Sequence, residues 1–550
     1  MKAVNAKDWS GLYSWTDGTS RSYPEPTGLP FPRTGMLAMS GSGSNYDQTY
    51  SPVPYSSQVT PIGSNGYFST GGTYPGSHPI SWMGRFDICL IGGNWEQWDS
   101  NSNYDRGLLV DSIKRVLNVS GFSPTVVWQY HIFEVTQDAS NSNPYNTLYP
   151  TIQNELWSLW SSANESGSQI SVSSGKYETN WAVAWPNAVG SVPADQAFST
   201  RRTTAHYDGN AEDLPQYAAA YFIEMTMTRH SQLSTYASGT IPASAYTDPR
   251  FYPNLTSGAN HDAMKAPNLD AIFTDNCYAY PRYTGYYDLK NSYSANVYNS
   301  AAGPWMVRGV QHFHARLEEI LALAYPSRQF YKTCNFGDWT DVYAQSPSVF
   351  SSMSNGLANT MHGGVLENDI GASYGVESKW DWPTLYNAII AVKGTCLDPK
   401  MVLLSIQCSS STDYVTARYG MGTTCIAAIY GSPNVNGSYR VDDYFYLDEC
   451  GGNPGTNVAK GWLGMPVGPD PTGSAVNGLW IRDFTNGVVV LNPKVSGQGT
   501  ATVTLAQINS YLGASYSLSY IKGVQDSSWN PGGKFSQATL PNRTALFLVK

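Results

Sequence analysis

The chain has 550 residues and a formal net charge of −9, and only 13% of its residues are charged. The acidic balance disfavours nucleic acid as a partner, since nucleic acid requires a basic surface, and it also disfavours anionic membranes. No apolar run reaches the roughly 18 residues of a membrane span, and residues 1–8 contain no apolar segment typical of a secretory signal.

The length predicts two or three domains. Residues 1–80 are rich in turn-forming residues, as in the run SGSGS at 40–44, and their aromatic residues follow no regular period. We therefore expect an irregular N-terminal arm or a small β subdomain. Such an arm packs along the next domain or joins copies of the chain into a homo-oligomer.

Apolar runs and amphipathic segments alternate between residues 81 and 470, which is typical of repeated strand–helix units. Eight units predict an α/β fold, a (β/α)8 TIM barrel. The rival is an open doubly wound sheet, but the sequence GGNW at 92–95 lacks the spacing of its Gly-rich phosphate turn. The predicted strands are 86–92, 125–131, 181–185, 270–274, 329–334, 357–366, 401–406 and 444–447.

The helical period ends near residue 475, and short apolar segments separated by Gly and Pro follow. They predict a small C-terminal antiparallel β-sandwich over residues 471–550. The seven cysteines are odd in number and include no C-x-x-C pair. We expect most of them to be buried small hydrophobic residues rather than disulfide partners or zinc ligands.

Carboxylates follow several of the predicted buried strands. Asp275 ends the run LDAIFTD, Glu367 and Asp369 follow GVL, and Asp448 and Glu449 follow YFYL. Because the carboxyl ends of parallel barrel strands meet on one face, we expect one acidic pocket there. Asp448 and Glu449 either bind substrate hydroxyls or cap the loop that follows them.

The composition also favours a carbohydrate ligand, because 39 Tyr and 17 Trp residues provide flat apolar rings that stack on sugars. Aromatic and amide side chains follow several predicted strands and are candidates for substrate binding. For each one taken alone, packing in the core is the alternative. The candidates are Asn94, Trp95, Tyr130, His131, Trp185, Asn335 and Trp339.

Several strings resemble those of TIM-barrel glycoside hydrolases, among them the hypothetical glycosyl hydrolase families related to the α-galactosidase and α-amylase barrels. The string DAIFTDN at 270–276 resembles their fourth-strand motif DGIFLDN. The strings WLGMPVG at 462–468, GLWIRDFTNGVVVLNP at 478–493 and ATLPNRTALFLV at 538–549 are similar to the passage from barrel to β-sandwich. The resemblance covers residues 85–550.

This resemblance implies roles for two acids. The fourth-strand aspartate of those barrels is the nucleophile, which corresponds to Asp275, and an acid at a later strand end is the proton donor, which corresponds best to Glu367. Asp369 and Asp338 depart from the pattern as extra acids, and either could replace Glu367. The structural alternative for Asp275 is a helix cap or an ion pair with Arg282.

We therefore expect a glycoside hydrolase that cleaves a polysaccharide with two carboxylates and with no cofactor or metal. It would act outside the cell or as part of a virion. The alternative is a non-catalytic carbohydrate-binding or structural, virion-associated protein on a degenerate barrel. A polysaccharide lyase is a third hypothesis, but it requires a basic cluster where this chain places acids.

Overall fold

The structure is a computed structural model. It describes residues 12–14, 20–22, 29–38, 83–91, 113, 125–132, 169–172, 175–178, 269–275, 330–337, 339–345, 347–348, 350–351, 361–371, 379–437, 439, 443–453, 455–494 and 499–550.

Eight parallel strands in this part of the chain form a nearly closed barrel, with separate antiparallel sheets beside it. The barrel order is β3, β4, β5, β8, β9, β10, β11, β12, and the pairs β1–β2 and β6–β7 are antiparallel hairpins. The strands are β1 (Leu12–Ser14), β2 (Ser20–Ser22), β3 (Gly35–Ala38), β4 (Ile88–Ile91), β5 (Val126–Ile132), β6 (Gln169–Val172), β7 (Gly175–Glu178), β8 (Ala271–Asp275), β9 (Tyr331–Asn335), β10 (Gly363–Gly371), β11 (Met401–Cys408) and β12 (Tyr430–Val435).

Six of the eight predicted strands lie in the barrel. Strand β3 was not predicted: it falls within residues 1–80, which we assigned to an arm, yet it pairs in parallel with β4. The predicted strand 181–185 lies outside the described residues, and β5 pairs directly with β8. With β3 counted first and β8 next to β5, Asp275 and Glu367 lie on the fourth and sixth barrel strands.

The predicted eighth strand, residues 444–447, is wrong, because β12 occupies that place in the sheet. The barrel closes where the Gly431 amide donates to the Arg33 carbonyl at 3.0 Å. Residues 444–450 cover this seam and are buried. Tyr444 contacts both sides of it: its backbone forms an isolated bridge with Asn434 of β12, and its hydroxyl donates to the Leu37 carbonyl of β3 at 3.2 Å.

Four α-helices lie in the described part of the chain: α1 (Trp339–Gln345), α2 (Trp382–Thr395), α3 (Tyr414–Ala427) and α4 (Leu505–Leu512). Aspartates cap α2 and α3, since Asp381 accepts from the Thr384 amide and Asp413 from the Thr416 amide. None of the helices described is long and apolar enough to cross a membrane. The six cysteines of this part are buried and free, as predicted.

The C-terminal region contains two antiparallel sheets with a common core. One has the order β13 (Trp480–Asp483), β14 (Gly487–Asn492), β18 (Thr544–Val549), β16 (Ser519–Tyr520), and the other pairs β15 (Ala501–Thr504) with β17 (Gln537–Leu540). Apolar residues of both sheets and of α4 pack together, as the alternation along β14 and β18 requires. They include Ile481, Val488, Val490, Val503, Ile508, Leu540, Leu546 and Leu548.

Helix α3 packs between the barrel and the first of these sheets. Two glycines of the helix permit its close approach to both. A Cβ at Gly420 would lie 2.5 Å from Ile406 of β11, and one at Gly422 would lie 2.3 Å from Ala545 of β18. Residues 417–427 are all buried. The helix is therefore a shared layer between two sheets.

Gly422→Ala should destabilise the protein, although alanine favours a helix over glycine by about 1 kcal/mol. The new methyl group overlaps Ala545, and overpacking of this kind costs about 1–3 kcal/mol. Gly394→Ala in α2 is the matched control, because nothing lies within 4 Å of its added Cβ. Thermal unfolding should show a lower Tm for the first variant and an equal or higher Tm for the second.

His362, directly before β10, should make stability depend on pH. It is 2% exposed, and its Nδ1 accepts from the Lys332 amide at 3.2 Å. Burial, followed by the positive charge of Lys332, lowers its pKa from 6.5 to about 3.

The unfolded chain binds a proton at the His362 imidazole more readily than the folded protein does. The free energy of unfolding should therefore fall as pH drops from 6.5 towards 3, by up to about 1.4 kcal/mol per pH unit. Urea unfolding of His362→Asn at several pH values, beside wild type, measures this contribution. An unchanged pH slope in the variant would show that His362 contributes nothing.

Candidate active site

A β-bulge in β10 carries two of the predicted acids. Leu366 pairs with Leu404 of β11 and Ile370 pairs with Ile406, so three residues, 367–369, face a single residue of β11. A bulge turns side chains away from the regular alternation, and bulges are common beside active sites. It allows Glu367 and Asp369, two residues apart, to have different environments.

Glu367 is half-buried and is held by the end of the neighbouring strand β9. The Asn335 amide nitrogen donates to its Oε2 at 2.7 Å. Asn335 is itself fixed, because its Oδ1 accepts from the Gly337 amide at 2.9 Å in the turn that follows the strand. The arrangement orients a carboxylate that solvent still reaches.

Asp369 faces helix α1 and is fully buried. Its Oδ1 accepts from the Thr340 hydroxyl in the first turn of α1 at 2.8 Å. The next residue of that helix, Asp341, accepts from the Trp380 indole and the Lys379 ammonium, each at 2.9 Å. These contacts hold the segment after β10 against α1, which favours a structural role for Asp369.

The predicted sugar platform at Trp339 is buried at 1% exposure. Its ring packs edge-on against Phe336 and Phe350, with centroids 5.7 and 5.9 Å apart. This packing favours the core alternative over substrate stacking for this residue.

The inner face of the barrel can be traced from one contact. A Cβ at Gly35 of β3 would lie 2.4 Å from Leu403 of β11. These strands are not neighbours in the sheet, so both residues point inward. Gly35 pairs with Ile88, and Ile88 with Val126, and paired residues share a face. Trp128, two positions after Val126, therefore also points into the barrel.

Trp128 stacks on Phe273 of β8 inside the barrel, with ring centroids 6.0 Å apart and planes 10° apart. Its indole nitrogen is buried and has no hydrogen-bond partner among the described residues. A buried donor without a partner costs free energy unless a ligand or a water molecule accepts from it.

A second buried donor lies beside Glu367. The hydroxyl of Tyr439 is buried and lies close to the side chains of Glu367 and Ser405. Burial, and next the charge of Glu367, raises the pKa of Tyr439 well above its usual 10. The hydroxyl therefore keeps its proton at ordinary pH and remains a donor.

The backbone that carries Tyr439 is anchored to the barrel. Asn434 of β12 donates to the Ser405 hydroxyl at 3.1 Å and accepts from the Gly437 amide at 2.8 Å. Tyr439 then adopts φ = 50°, a left-handed conformation that is rare for a bulky side chain. Strain of this kind is concentrated at functional sites.

Asp275 is the last residue of β8 and pairs with Ile132 of β5. Its side chain is outside the described part of the structure. One strand, β9, separates β8 from β10, so the backbones that carry Asp275 and Glu367 are two strand spacings apart. At about 4.8 Å per spacing this is about 10 Å across the strands. The register pairs Thr274 with Cys334 and Asn335 with Val365, so Glu367 lies two residues further along the barrel and the backbones are about 12 Å apart. The two acids thus lie a quarter of the way round the barrel rather than across its mouth.

Asp448 and Glu449 have structural partners. Asp448 Oδ2 accepts from the amides of Val524 and Gln525 at 2.6 and 2.7 Å, and its Oδ1 accepts from Asn453 at 2.9 Å. Asn453 also accepts from Arg85, which precedes β4. Asp448 is 1% exposed, so these contacts favour the loop-capping alternative.

Glu449 is likewise 1% exposed and forms an ion pair with Arg418 of α3, with Nε and Oε1 2.5 Å apart. Asn530 donates to the same Oε1 at 2.8 Å, and Arg418 also pairs with Asp526 at 2.8 Å. Both acids thus join the segment that covers the seam to the C-terminal region.

The remaining predicted site residues are only partly placed. Tyr130 and His131 of β5 pair with Phe273 and Thr274 of β8, which puts them near the carboxyl ends of both strands. Four candidates lie outside the described residues: Asn94, Trp95, Trp185 and Asp338.

Sequence reasoning missed both Trp128 and Tyr439. Trp128 is in a predicted strand, but alternation alone does not say which face is inward. Tyr439 follows Asn436-Gly437, a turn signal that was available in the sequence. That signal indicates the end of a strand just before it.

The described residues contain no group of three or more His, Cys, Asp or Glu side chains that could hold a metal ion. No protein-family model matches the chain, and the comparison with curated proteins finds no significant match.

Proposed function

We propose that the protein is a glycoside hydrolase, a (β/α)8 TIM barrel with a C-terminal β-sandwich, that cleaves a polysaccharide. The observation that carries the proposal is Glu367. It is an oriented, half-buried carboxylate in a bulge of β10, next to the end of β9 and beside a buried hydroxyl. Such a carboxyl group suits proton transfer to a glycosidic oxygen.

The mechanism needs a second carboxylate, and Asp275 is the candidate. Glycosidases place their two carboxyl groups roughly 5–9.5 Å apart. A backbone separation of about 12 Å, from two strand spacings and two residues along the strand, is compatible with that range when both side chains extend towards each other from β8 and β10. In the proposed reaction Asp275 attacks the anomeric carbon and Glu367 protonates the leaving oxygen.

The inner wall of the barrel supports a sugar as the ligand. Trp128 and Phe273 are buried and stack on each other as an apolar wall, and the Trp128 indole nitrogen is a donor that has no partner among the described residues. Apolar walls with a few directed polar groups are typical of small-molecule sites.

The test is a panel of polysaccharides and oligosaccharides assayed for new reducing ends, with wild type beside Asp275→Asn. Hydrolysis of at least one glycan by wild type, abolished in the variant, supports the proposal. Binding of a glycan without hydrolysis would instead favour the non-catalytic, carbohydrate-binding alternative. If the panel gives neither binding nor hydrolysis, the proposal fails.

A further inference from the structure

The contact between Asn335 and Glu367 lies on the inner wall of the barrel. Tyr331 of β9 pairs, through β8, with the inward residue Trp128, so it also points inward. Asn335 lies four positions after Tyr331 and pairs with Val365 of β10, so these two share the inner face. Glu367 is two positions further along β10, and the hydrogen bond from Asn335 keeps its carboxyl group on that face.

A glycine in the turn after β9 decides which way the Asn335 amide faces. The Gly337 amide donates to Oδ1 of Asn335 at 2.9 Å, and Gly337 has φ = 52°, a left-handed conformation that favours glycine in this turn. Because Oδ1 is engaged by Gly337, the NH2 group is the end that faces Glu367, whose Oε2 accepts from it at 2.7 Å. A flipped amide would lose both hydrogen bonds and set its oxygen against the carboxylate.

The turn that carries this amide is fixed to β10. The Phe336 amide donates to the Val365 carbonyl at 2.9 Å. A Cβ at Gly364 would lie 2.7 Å from the Phe336 ring, so glycine at that position lets the ring pack on the strand. Asn335 is only 5% exposed, whereas Glu367 is half-buried. The supporting residue is therefore buried, and the carboxyl group that it holds is the part that solvent reaches.

We propose that Asn335 is the positioning residue of Glu367: with its amide oriented by Gly337, it holds the carboxyl group where that group transfers a proton to the substrate. This role differs from the substrate binding that the sequence predicts for Asn335. The inference rests on the proposed function, because it takes Glu367 as the proton donor. A positioning residue changes kcat, whereas a residue that binds the substrate equally in the ground state and the transition state changes KM.

Asn335→Asp tests the role, because it keeps the acceptor for the Gly337 amide and replaces the donor with a second carboxylate beside Oε2 of Glu367. On a glycan that wild type cleaves, kcat should fall about 10²-fold, since a misplacement of about 1 Å can cost that much, and KM should change little. The Tm should also fall, because two like charges then face each other. Adding Glu367→Gln should restore the Tm, since the glutamine NH2 group donates to the introduced carboxylate, but it should not restore activity.

Asn492 in the C-terminal region provides a matched control with the same local arrangement. Its Oδ1 accepts from the amide two residues later, that of Lys494, and its NH2 group donates to the carbonyls of Leu540 and Pro541. Asn492→Asp should therefore lower the Tm and leave kcat and KM unchanged.

Gly337→Ala tests the orientation of the amide without changing an atom that contacts Glu367. Alanine disfavours the left-handed conformation, so the turn should shift and kcat should fall, by less than in Asn335→Asp. Gly513→Ala is its control, because Gly513 ends α4 at φ = 61° and nothing lies within 4 Å of an added Cβ. It should lower only the Tm.

The outcomes separate this inference from the proposed function. A higher KM with unchanged kcat in Asn335→Asp would show substrate binding, and a lower Tm with both constants unchanged would show a purely structural contact. Either result overturns the positioning role while the proposed function stands, and so does a double variant that recovers no Tm. If wild type cleaves no glycan, the proposed function fails and the positioning role fails with it.

Discussion

Glu367→Gln is expected to lower turnover on a cleaved glycan by about 10²–10⁴-fold. The amide keeps the shape of the side chain but cannot donate a proton to the leaving oxygen. The hydrogen bond from Asn335 can be kept, because the glutamine oxygen still accepts it. Thermal stability should therefore change little, and rates of reducing-end release in wild type and variant give the measurement.

Asp369→Asn is the matched control for Glu367→Gln, because it changes a neighbouring acid of the same bulge. Asp369 is fully buried and accepts from Thr340, so its variant should lose stability rather than the chemical step. Wild-type turnover in Glu367→Gln with a large loss in Asp369→Asn would transfer the proposed acid role to Asp369. Unchanged turnover in both variants would leave Asp338 as the next acid to replace.

Arg418→Met is expected to lower the free energy of unfolding by about 3–5 kcal/mol. Arg418 is 1% exposed, and it pairs with Glu449, which is equally buried. Removing one partner of a buried pair leaves the other charge without compensation in the interior, and this is the costly term. Chemical denaturation measures the loss, provided that wild type and variant unfold with the same dependence on denaturant concentration.

The double variant Arg418→Met with Glu449→Met separates the two causes of that loss. Replacing both partners removes the fully buried charge and leaves only the partly exposed Asp526 without its partner, so much of the stability should return. Lys379→Met is the exposed control: its side chain is 61% exposed in the pair with Asp341, and an exposed pair contributes about 0–1 kcal/mol. A loss below about 1 kcal/mol in Arg418→Met would contradict the buried-pair argument.

The strands that sequence predicted correctly are those whose burial on both faces makes a continuous apolar run. β11, with the sequence MVLLSIQC, is buried at every position, and β4 is too. Local pattern is sufficient for such strands, because the barrel interior and the helices outside both require apolar side chains.

The strand prediction failed where the local sequence pattern does not match the position of the segment in the folded protein. Residues 444–447 are apolar and buried, like a central strand, but they cover a seam. β12 has the sequence YGSPNV, with a glycine and a proline that argue against a strand. The glycine lets helix α3 pack closely on β12, since Met421 Sδ would lie 2.4 Å from an added Cβ at Gly431. A contact between two elements of the folded protein, such as this one, is not visible in the sequence.

The candidate site was predicted in part for a similar reason. Acids after buried strands are visible as sequence, and the structure places Glu367 beside Asn335 as two predicted site residues in contact. The same pattern cannot distinguish an acid at a strand end from one that binds backbone amides, as Asp448 does. Hydrogen bonds to residues some 75 positions away decide between them.

The closure of the barrel at Arg33 and Gly431 joins residues roughly 400 positions apart in the chain. During synthesis β3 emerges early and β12 only after most of the protein has been made. Until then β3 and the barrel strand made last present open edges that can pair with other chains. Contacts this distant in sequence also slow folding, since a very large loop must close first. Newly made chains should therefore depend on chaperones, and their yield should fall as the synthesis temperature rises.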